Sequence, residues 1–183
     1  MNPSASEIEE LNQVLDRARS VGDLGPEPNE SVVSQSMRFA RVIPDGAKTV
    51  ADLGSGAGVP GLVISLARPD LHIRLIERSR KRCDGLELAV RRLGLEKRIT
   101  IFCGDARVVS ESAEWDGPVD VVVARSFSPI EELFAGALPL LAPGGLIAVS
   151  EPPDSDGSRW ANLMPPGVSG PQVEDGIATF LAP

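Results

Sequence analysis

A glycine-rich stretch, VADLGSGAGVPG at residues 50–61, places four glycines within eight residues, directly after a short apolar run. Glycines at the end of a strand let the backbone pass close to a ligand and present its N–H groups. Pro60 suits the first turn of a following helix, because its missing N–H would be unpaired there in any case. Gly56, Gly58 and Gly61 match the dinucleotide fingerprint, so the stretch indicates either a nucleotide-type ligand or only a tight strand-to-helix turn.

Three acids decide which ligand this loop would take. Glu77 ends the next apolar run, where a carboxylate can accept both hydroxyls of a ribose. Asp105, within Gly104-Asp105-Ala106, follows a third run and can accept from an exocyclic adenine amine. Asp52 lies inside the motif, where it would repel a pyrophosphate but suits a cofactor that carries a sulfonium and an ammonium. These charges favour S-adenosylmethionine over NAD.

Alternating elements must position these residues. From Lys48 onward, continuous apolar runs alternate with helical segments, the pattern of a mostly parallel sheet covered on both faces. The predicted strands are 49–53, 71–76, 99–103, 119–124 and 146–150. The predicted helices between them are 61–67, 79–93 and 130–141, with a short helix near 107–112.

The two ends of the chain have a different pattern. Helical periodicity predicts one helix capped by Ser4 or Ser6 and a second from Asn29 to just before Pro44. Residues 151–171 are expected to be mostly loop, and residues 172–180 a hairpin around Asp-Gly. We therefore predict one α/β domain over 1–183. It has two N-terminal helices in 1–46, a three-layer, Rossmann-like cofactor-binding core in 47–150, and a loop with an antiparallel hairpin in 151–183.

Composition limits the partners. The 183 residues carry a formal net charge of −8, so the protein gains no general attraction to nucleic acid. The basic run at 78–82 is either a phosphate-binding rim or a solvated helix face. Cys83 and Cys103, with one histidine in the chain, do not form a zinc framework, and reduced thiols and no metal are expected. We see no signal peptide and no apolar run near the ~20 residues of a membrane span, so a cytoplasmic monomer or weak dimer is expected.

With these residues in view, the loop from Asp52 to Gly61, with its Pro-Gly ending, resembles the cofactor loop of class I methyltransferases. Together with DVVVARSF at 120–127, it more narrowly resembles the bacterial 16S ribosomal RNA guanine-N7 methyltransferase family, also called glucose-inhibited division protein B. The resemblance covers 48–150 and implies a seven-stranded sheet whose last strand is antiparallel, with S-adenosylmethionine as cofactor. It places cofactor contacts at Gly54, Val59, Asp105-Ala106 and Arg125. With the acids and glycines above, the predicted cofactor site comprises Asp52, Gly54, Ser55, Gly56, Gly58, Val59, Glu77, Arg78, Gly104, Asp105, Ala106 and Arg125.

Three functions follow from this resemblance and from departures from it. Arg107 stands where family members usually carry an acid, and Glu151 stands near a usual lysine, which would make an RNA-facing position anionic. The first hypothesis is methyl transfer to guanine N7 of 16S ribosomal RNA. The others are a small-molecule methyltransferase and a non-catalytic protein that binds cofactor or a partner. Arg125 is a candidate contact for substrate or cofactor, or a strand-end salt bridge. No catalytic base is predicted, since N7 has a free lone pair and His72 opens its strand far from the ligand edge.

Overall fold

A seven-stranded sheet organises the computed structural model, which describes residues 3–126, 129–152 and 154–183. The strands are β1 (Thr49–Leu53), β2 (His72–Glu77), β3 (Ile99–Cys103), β4 (Val119–Ala124), β5 (Leu141–Ser150), β6 (Ser169–Glu174) and β7 (Ile177–Leu181). Their order is β3-β2-β1-β4-β5-β7-β6. Strands β1 to β5 pair in parallel, whereas β7 runs antiparallel to both β5 and β6. The predicted mixed sheet with a C-terminal antiparallel hairpin is confirmed.

Helices cover both faces of this sheet and make three layers. They are α1 (Ala5–Ser20), α2 (Asn29–Val42), α3 (Gly61–Ala67), α4 (Arg80–Arg92) and α5 (Leu133–Ala137), with 3-10 turns at Val109–Glu111, Ile130–Glu132, Leu138–Leu140 and Ser158–Trp160. Helices α1 to α4 pack with one buried face of the sheet in a single apolar cluster. Helix α5 and Trp160 pack with the other face. Within the described ranges, no helix is both long enough and apolar enough to cross a membrane.

Local signals explain most of the element ends. Ser4, one of the two predicted caps, caps α1 through a capping box with Glu7. The segment 130–141, predicted as one helix, is instead a short α-helix between two 3-10 turns. Pro139 lacks the N–H that a continuing α-helix needs at that point. Strand β5 begins five residues earlier than predicted, because Leu141 pairs with Val119 before an irregularity in the register.

The two cysteines are joined, so the expectation of reduced thiols is wrong for this structure. Helix α4 packs over the end of β3, which brings the Cα atoms of Cys83 and Cys103 to 5.9 Å, and their Sγ atoms form a disulfide. That separation lies in the range typical of disulfides. No sequence pattern predicts this pairing, because it depends on how α4 lies on the sheet.

Asp120 ties β4 to β1 at the edge of the sheet opposite the glycine loop. Its carboxylate accepts hydrogen bonds from the backbone N–H of Lys48 at 2.8 Å and of Thr49 at 2.9 Å, and from the Thr49 hydroxyl at 2.9 Å. Partial burial raises the pKa of Asp120, but the hydrogen bonds outweigh it and the net pKa lies below its usual value. This residue of the DVVVARSF run therefore supports the sheet; Phe127 of the same run lies outside the described residues.

We expect Asp120→Ala to lower the free energy of unfolding at pH 7 by about 1–3 kcal/mol, because three donors lose their acceptor. Since the folded pKa is depressed, the carboxylate stabilises the protein above about pH 4, and this stabilisation is lost as the pH falls through the folded pKa. Urea unfolding at pH 7 and pH 3 should therefore show a smaller deficit at pH 3. The exposed Glu114→Ala serves as control; an equal deficit at both pH values would contradict the assignment.

Candidate cofactor and acceptor site

The glycine loop is held from beneath by Asp52. One oxygen of the Asp52 carboxylate, Oδ2, accepts a hydrogen bond from the Gly61 N–H at 3.0 Å, and the Asp52 carbonyl accepts one from the Ser55 hydroxyl at 2.8 Å. Gly61 has no room for a side chain, since a Cβ there would lie 2.8 Å from that carboxylate oxygen and 2.4 Å from Cδ2 of Leu75. The hydrogen bond between Asp52 and the Gly61 N–H therefore depends on having glycine at position 61.

The pKa of Asp52 is strongly shifted by burial. Complete burial raises the pKa of this carboxyl to about 7, against the lowering effect of its hydrogen bonds and of the Arg125 charge. Its second oxygen, Oδ1, has no hydrogen-bond partner among the described residues. The structure places the carboxylate behind the loop, so a direct contact with a cofactor stays a prediction.

Glu77 locks the top of the loop to the start of α4. Its Oε2 accepts from the Gly56 N–H at 3.0 Å and its Oε1 from the Ser79 N–H at 2.8 Å. The side chain is buried, and Arg82 approaches Oε2 to 4.0 Å. A carboxylate has about four acceptor positions, so two remain for further donors such as hydroxyls.

A cavity of about 180 Å³, called here the loop cavity, brings six of the predicted site residues together: Gly54, Glu77, Arg78, Gly104, Asp105 and Ala106. Four others, Asp52, Ser55, Gly58 and Val59, are buried within or behind the loop. Gly56 lines a different cavity, of about 450 Å³, between α1 and α4. The carboxyl ends of β1, β2 and β3 therefore meet where ligands bind in open α/β sheets.

Asp105 is bound by Arg107, the residue predicted to depart from the family pattern. One of its oxygens accepts from the Arg107 N–H at 2.9 Å and from Nε at 3.0 Å, while the other accepts from Nη2 at 2.6 Å. These hydrogen bonds lower the pKa of Asp105 to about 2. Arg107 also lies 3.8 Å from Glu132 on the far wall. Because Arg107 holds Asp105 as a carboxylate, the group remains an acceptor for a ligand amine.

A second cavity, of about 780 Å³, lies beyond the ends of β4 and β5; it is called here the arginine cavity. Three arginines line it, and each faces a carboxylate. The pairs are Arg125 with Glu27 at 2.6 Å, Arg159 with Glu151 at 2.5 Å, and Arg38 with Asp175 at 3.7 Å. Ser126 lines both the arginine cavity and the loop cavity, so the two adjoin at this residue.

Glu151 is not an RNA-facing anion, and that prediction is wrong. Its side chain is 0% exposed. Its Oε1 accepts from Trp160 Nε1 at 2.7 Å and from Arg159 Nε at 3.0 Å, and its Oε2 accepts from the Ser155 hydroxyl. Trp160 packs against Phe134 and Phe180, so it turns the chain back over Glu151. The carboxylate therefore anchors the segment between β5 and β6.

Arg80, Lys81 and Arg82 of the basic run form a solvated, ion-paired face of α4, whereas Arg78 precedes the helix and lines the loop cavity. Arg80 lies 3.1 Å from Asp84, and both Lys81 and Arg82 approach Asp23, at 3.4 Å and 3.5 Å. His72 is exposed at the start of β2, as predicted. Arg125 forms a strand-end salt bridge, which is one of its predicted roles. Its partner, Glu27, is not predicted from the sequence. Glu27 follows Gly25-Pro26 in a loop without periodicity, so no local signal points to it.

These features can be set beside known proteins. Residues 27–151 match the family model described as rRNA small subunit methyltransferase G, or GidB.

The chain belongs to the rRNA small subunit methyltransferase G family.

Curated relatives carry the same description. Ribosomal RNA small subunit methyltransferase G of Frankia alni is 41% identical over 112 residues, covering 60% of this chain and 41% of the relative. Its namesake in Mycolicibacterium gilvum is 38% identical over 127 residues, covering 68% of this chain and 55% of the relative. The chain thus spans about half the length of the curated relatives it matches.

Solved structures that resemble the chain share its fold. The O-methyltransferase from Bacillus cereus in complex with SAH has a TM-score of 0.65 at 18% identity, covering 98% of this chain and 90% of that one. The O-methyltransferase TomG from Streptomyces achromogenes in complex with SAM has a TM-score of 0.67 at 18% identity, covering 100% and 92%. The predicted Rossmann-like methyltransferase fold is confirmed.

We expect Asp52→Asn to gain stability relative to the wild type as the pH rises, because asparagine reproduces the neutral form of the buried carboxyl. The folded pKa is raised, so protonation of Asp52 stabilises the native state below about pH 4, and this stabilisation is lost as the pH rises to about 7. Between pH 5 and pH 8, the difference in unfolding free energy should shift by about 2 kcal/mol in favour of the variant. Denaturant titrations at both pH values measure it, with the exposed Asp45→Asn as control. A difference independent of pH would show that Asp52 does not titrate in this range.

Proposed function

We propose that the chain is an S-adenosylmethionine-dependent methyltransferase acting on guanine N7 of small-subunit ribosomal RNA. The observation that carries the proposal is the junction of the two cavities at Ser126, in a chain of this family. One cavity has the acids suited to an adenosine, and the other has arginines suited to a nucleotide. A methyl donor bound in the first would lie beside an acceptor bound in the second.

The residues of the loop cavity fit S-adenosylmethionine. Glu77 is fixed by two backbone N–H groups and has acceptor positions left for ribose hydroxyls. Asp105 stays ionised beside Arg107 and can accept from an adenine amine. Asp52 supplies negative charge beneath the loop, which favours a cationic ligand. The bound cofactor would supply the methyl group.

The chemistry asks mainly for alignment. Guanine N7 has a free lone pair, so the enzyme needs no proton acceptor for this transfer, and proximity supplies much of the rate. In the part of the chain that the structure describes, the arginine cavity is lined by acids and arginines in ion pairs. These groups can bind and orient a nucleotide. The burial of Glu151 removes the anionic surface that would have opposed RNA at this edge.

Within this proposal, residues 47–150 would form the cofactor-binding core of a single functional unit. Residues 1–46 and 151–183 would complete the arginine cavity from either side. An enzyme acting on ribosomal RNA would work where ribosomes are assembled, and we propose that the chain acts in the cytoplasm as a monomer or weak dimer. No membrane partner is expected.

A small-molecule methyltransferase is the second candidate. The arginine cavity, at about 780 Å³, has the size of a small-ligand site, and its charges are balanced internally. The formal net charge of −8 also favours this alternative over RNA binding. A non-catalytic cofactor-binding protein would have the loop cavity but transfer no methyl group.

We expect the chain to bind S-adenosylhomocysteine, the demethylated cofactor, in titration calorimetry. Glu77→Gln should weaken this binding by about tenfold or more, because a charged acceptor for hydroxyls is lost. Glu87→Gln, on the exposed face of α4, is the matched control and should bind as the wild type does. Absence of binding by the folded wild-type protein would contradict the proposed cofactor.

Methyl transfer is tested with labelled S-adenosylmethionine and small ribosomal subunits from a strain that lacks the modification. We expect label in the 16S RNA, located at a guanine N7 by mass spectrometry of nuclease fragments. RNA from the parent strain, in which the guanine is already methylated, is the control and should take up no label. Cofactor binding with no label in RNA would favour the small-molecule or the non-catalytic alternative.

A further inference from the structure

An ion pair at the mouth of the arginine cavity joins two distant parts of the chain. Glu27 lies in the loop between α1 and α2, and Arg125 follows the end of β4; Arg125 Nη2 donates to Glu27 Oε2 at 2.6 Å. The Arg125 side chain is 11% exposed and that of Glu27 is 46% exposed. The carboxylate is therefore the more accessible partner of the pair.

Both partners retain hydrogen-bonding capacity. Besides Arg125, Glu27 accepts one bond within the described part of the chain, from Gln35 Nε2 at 3.3 Å, so about half of its acceptor positions have no donor among those residues. A guanidinium has five N–H donors, and among the residues that the structure describes, Arg125 uses one of them, toward Glu27. The pair can thus bind a third group without first separating.

Side by side, an arginine N–H and the two oxygens of a carboxylate form the sequence donor, acceptor, acceptor. This is the hydrogen-bonding pattern that cytosine presents to guanine. The complementary edge is that of guanine, with O6 as acceptor and N1–H and the N2 amine as donors. Adenine places a lone pair at N1 and a donor at N6, so it would meet the carboxylate with an acceptor and the arginine with a donor.

We propose that Glu27, together with Arg125, is the element that selects guanine as the methyl acceptor. This inference rests on the proposed function, because it assigns the acceptor base of that same site. A guanine held by its Watson–Crick edge leaves N7, on the adjacent Hoogsteen edge, free for methyl transfer. Since a base bound in this way is unpaired, the RNA must present the guanine out of its helix.

The position of the pair supports this role. Arg125 immediately precedes Ser126, the residue at which the arginine cavity meets the loop cavity. The arginine is also close enough to Asp52 to lower the pKa of that buried acid. Base recognition and the cofactor loop therefore adjoin, which is what a direct transfer between their ligands needs.

The inference is tested by methyl transfer to RNA that carries inosine, which keeps O6, N1–H and N7 but lacks the N2 amine. Small-subunit RNA is assembled by ligation with either guanine or inosine at the nucleotide that the wild-type protein labels. The loss of one hydrogen bond to a charged group corresponds to about a 10- to 100-fold fall in kcat/KM. We expect the wild type to prefer guanine by this factor, and Glu27→Gln to lose activity on guanine and bring the two rates close together.

Two controls separate this role from other effects. Glu30→Gln, an exposed acid in the first turn of α2, should keep the guanine preference. The affinity of Glu27→Gln for S-adenosylhomocysteine should equal that of the wild type, because Glu27 does not line the loop cavity. An unchanged guanine-to-inosine ratio in Glu27→Gln, or a faster reaction on guanine, would overturn the inference and leave the proposed function standing. Failure of the wild type to methylate either RNA would overturn the proposed function, and the inference with it.

Discussion

The hydrogen bond from the Gly61 N–H to the Asp52 carboxylate is the constraint on which the site depends. It joins the end of β1 to the first residue of α3 in a space that excludes any side chain at position 61. With that end fixed, the loop between them turns its Gly56 N–H toward Glu77, and Glu77 in turn holds the start of α4. Two buried acids, Asp52 and Glu77, thus set the relative positions of β1, α3 and the start of α4 at the ligand edge.

Paired charges give the second cavity its character. Arg38, Arg125 and Arg159 each face a carboxylate, so the cavity has little net charge to attract a distant polyanion. The overall charge of −8 adds no such attraction either. Ion pairs of this kind contribute more to specificity than to affinity, because the groups are already oriented and any ligand must match their pattern. Recognition at this site would therefore depend on complementarity at close range.

Sequence patterns predict the fold well where they are local. The bounds of β1, β3, β4, α2 and α3 follow from the periodicity of apolar residues and from the prolines and glycines that flank them, because burial leaves little freedom in the pattern. The acids at the strand ends were found for the same reason. Glu27, Glu151 and the Cys83–Cys103 pairing were missed or misjudged, since each depends on where a loop or helix returns in space. Whether such a residue is buried, paired or free depends on the tertiary fold, and the neighbouring residues in the sequence do not predict it.

The charges of Asp52, Arg125 and Glu77 interact at the ligand edge of the sheet. Asp52 has one oxygen without a partner among the described residues. Burial raises its pKa to about 7, and the charges of Arg125 and Glu77 lower and raise it, respectively. A cationic ligand near the loop would stabilise the ionised form, so its binding would release a proton at neutral pH. A neutral or anionic ligand would gain nothing from that ionisation. The buried acid behind the loop would therefore distinguish ligands by their charge.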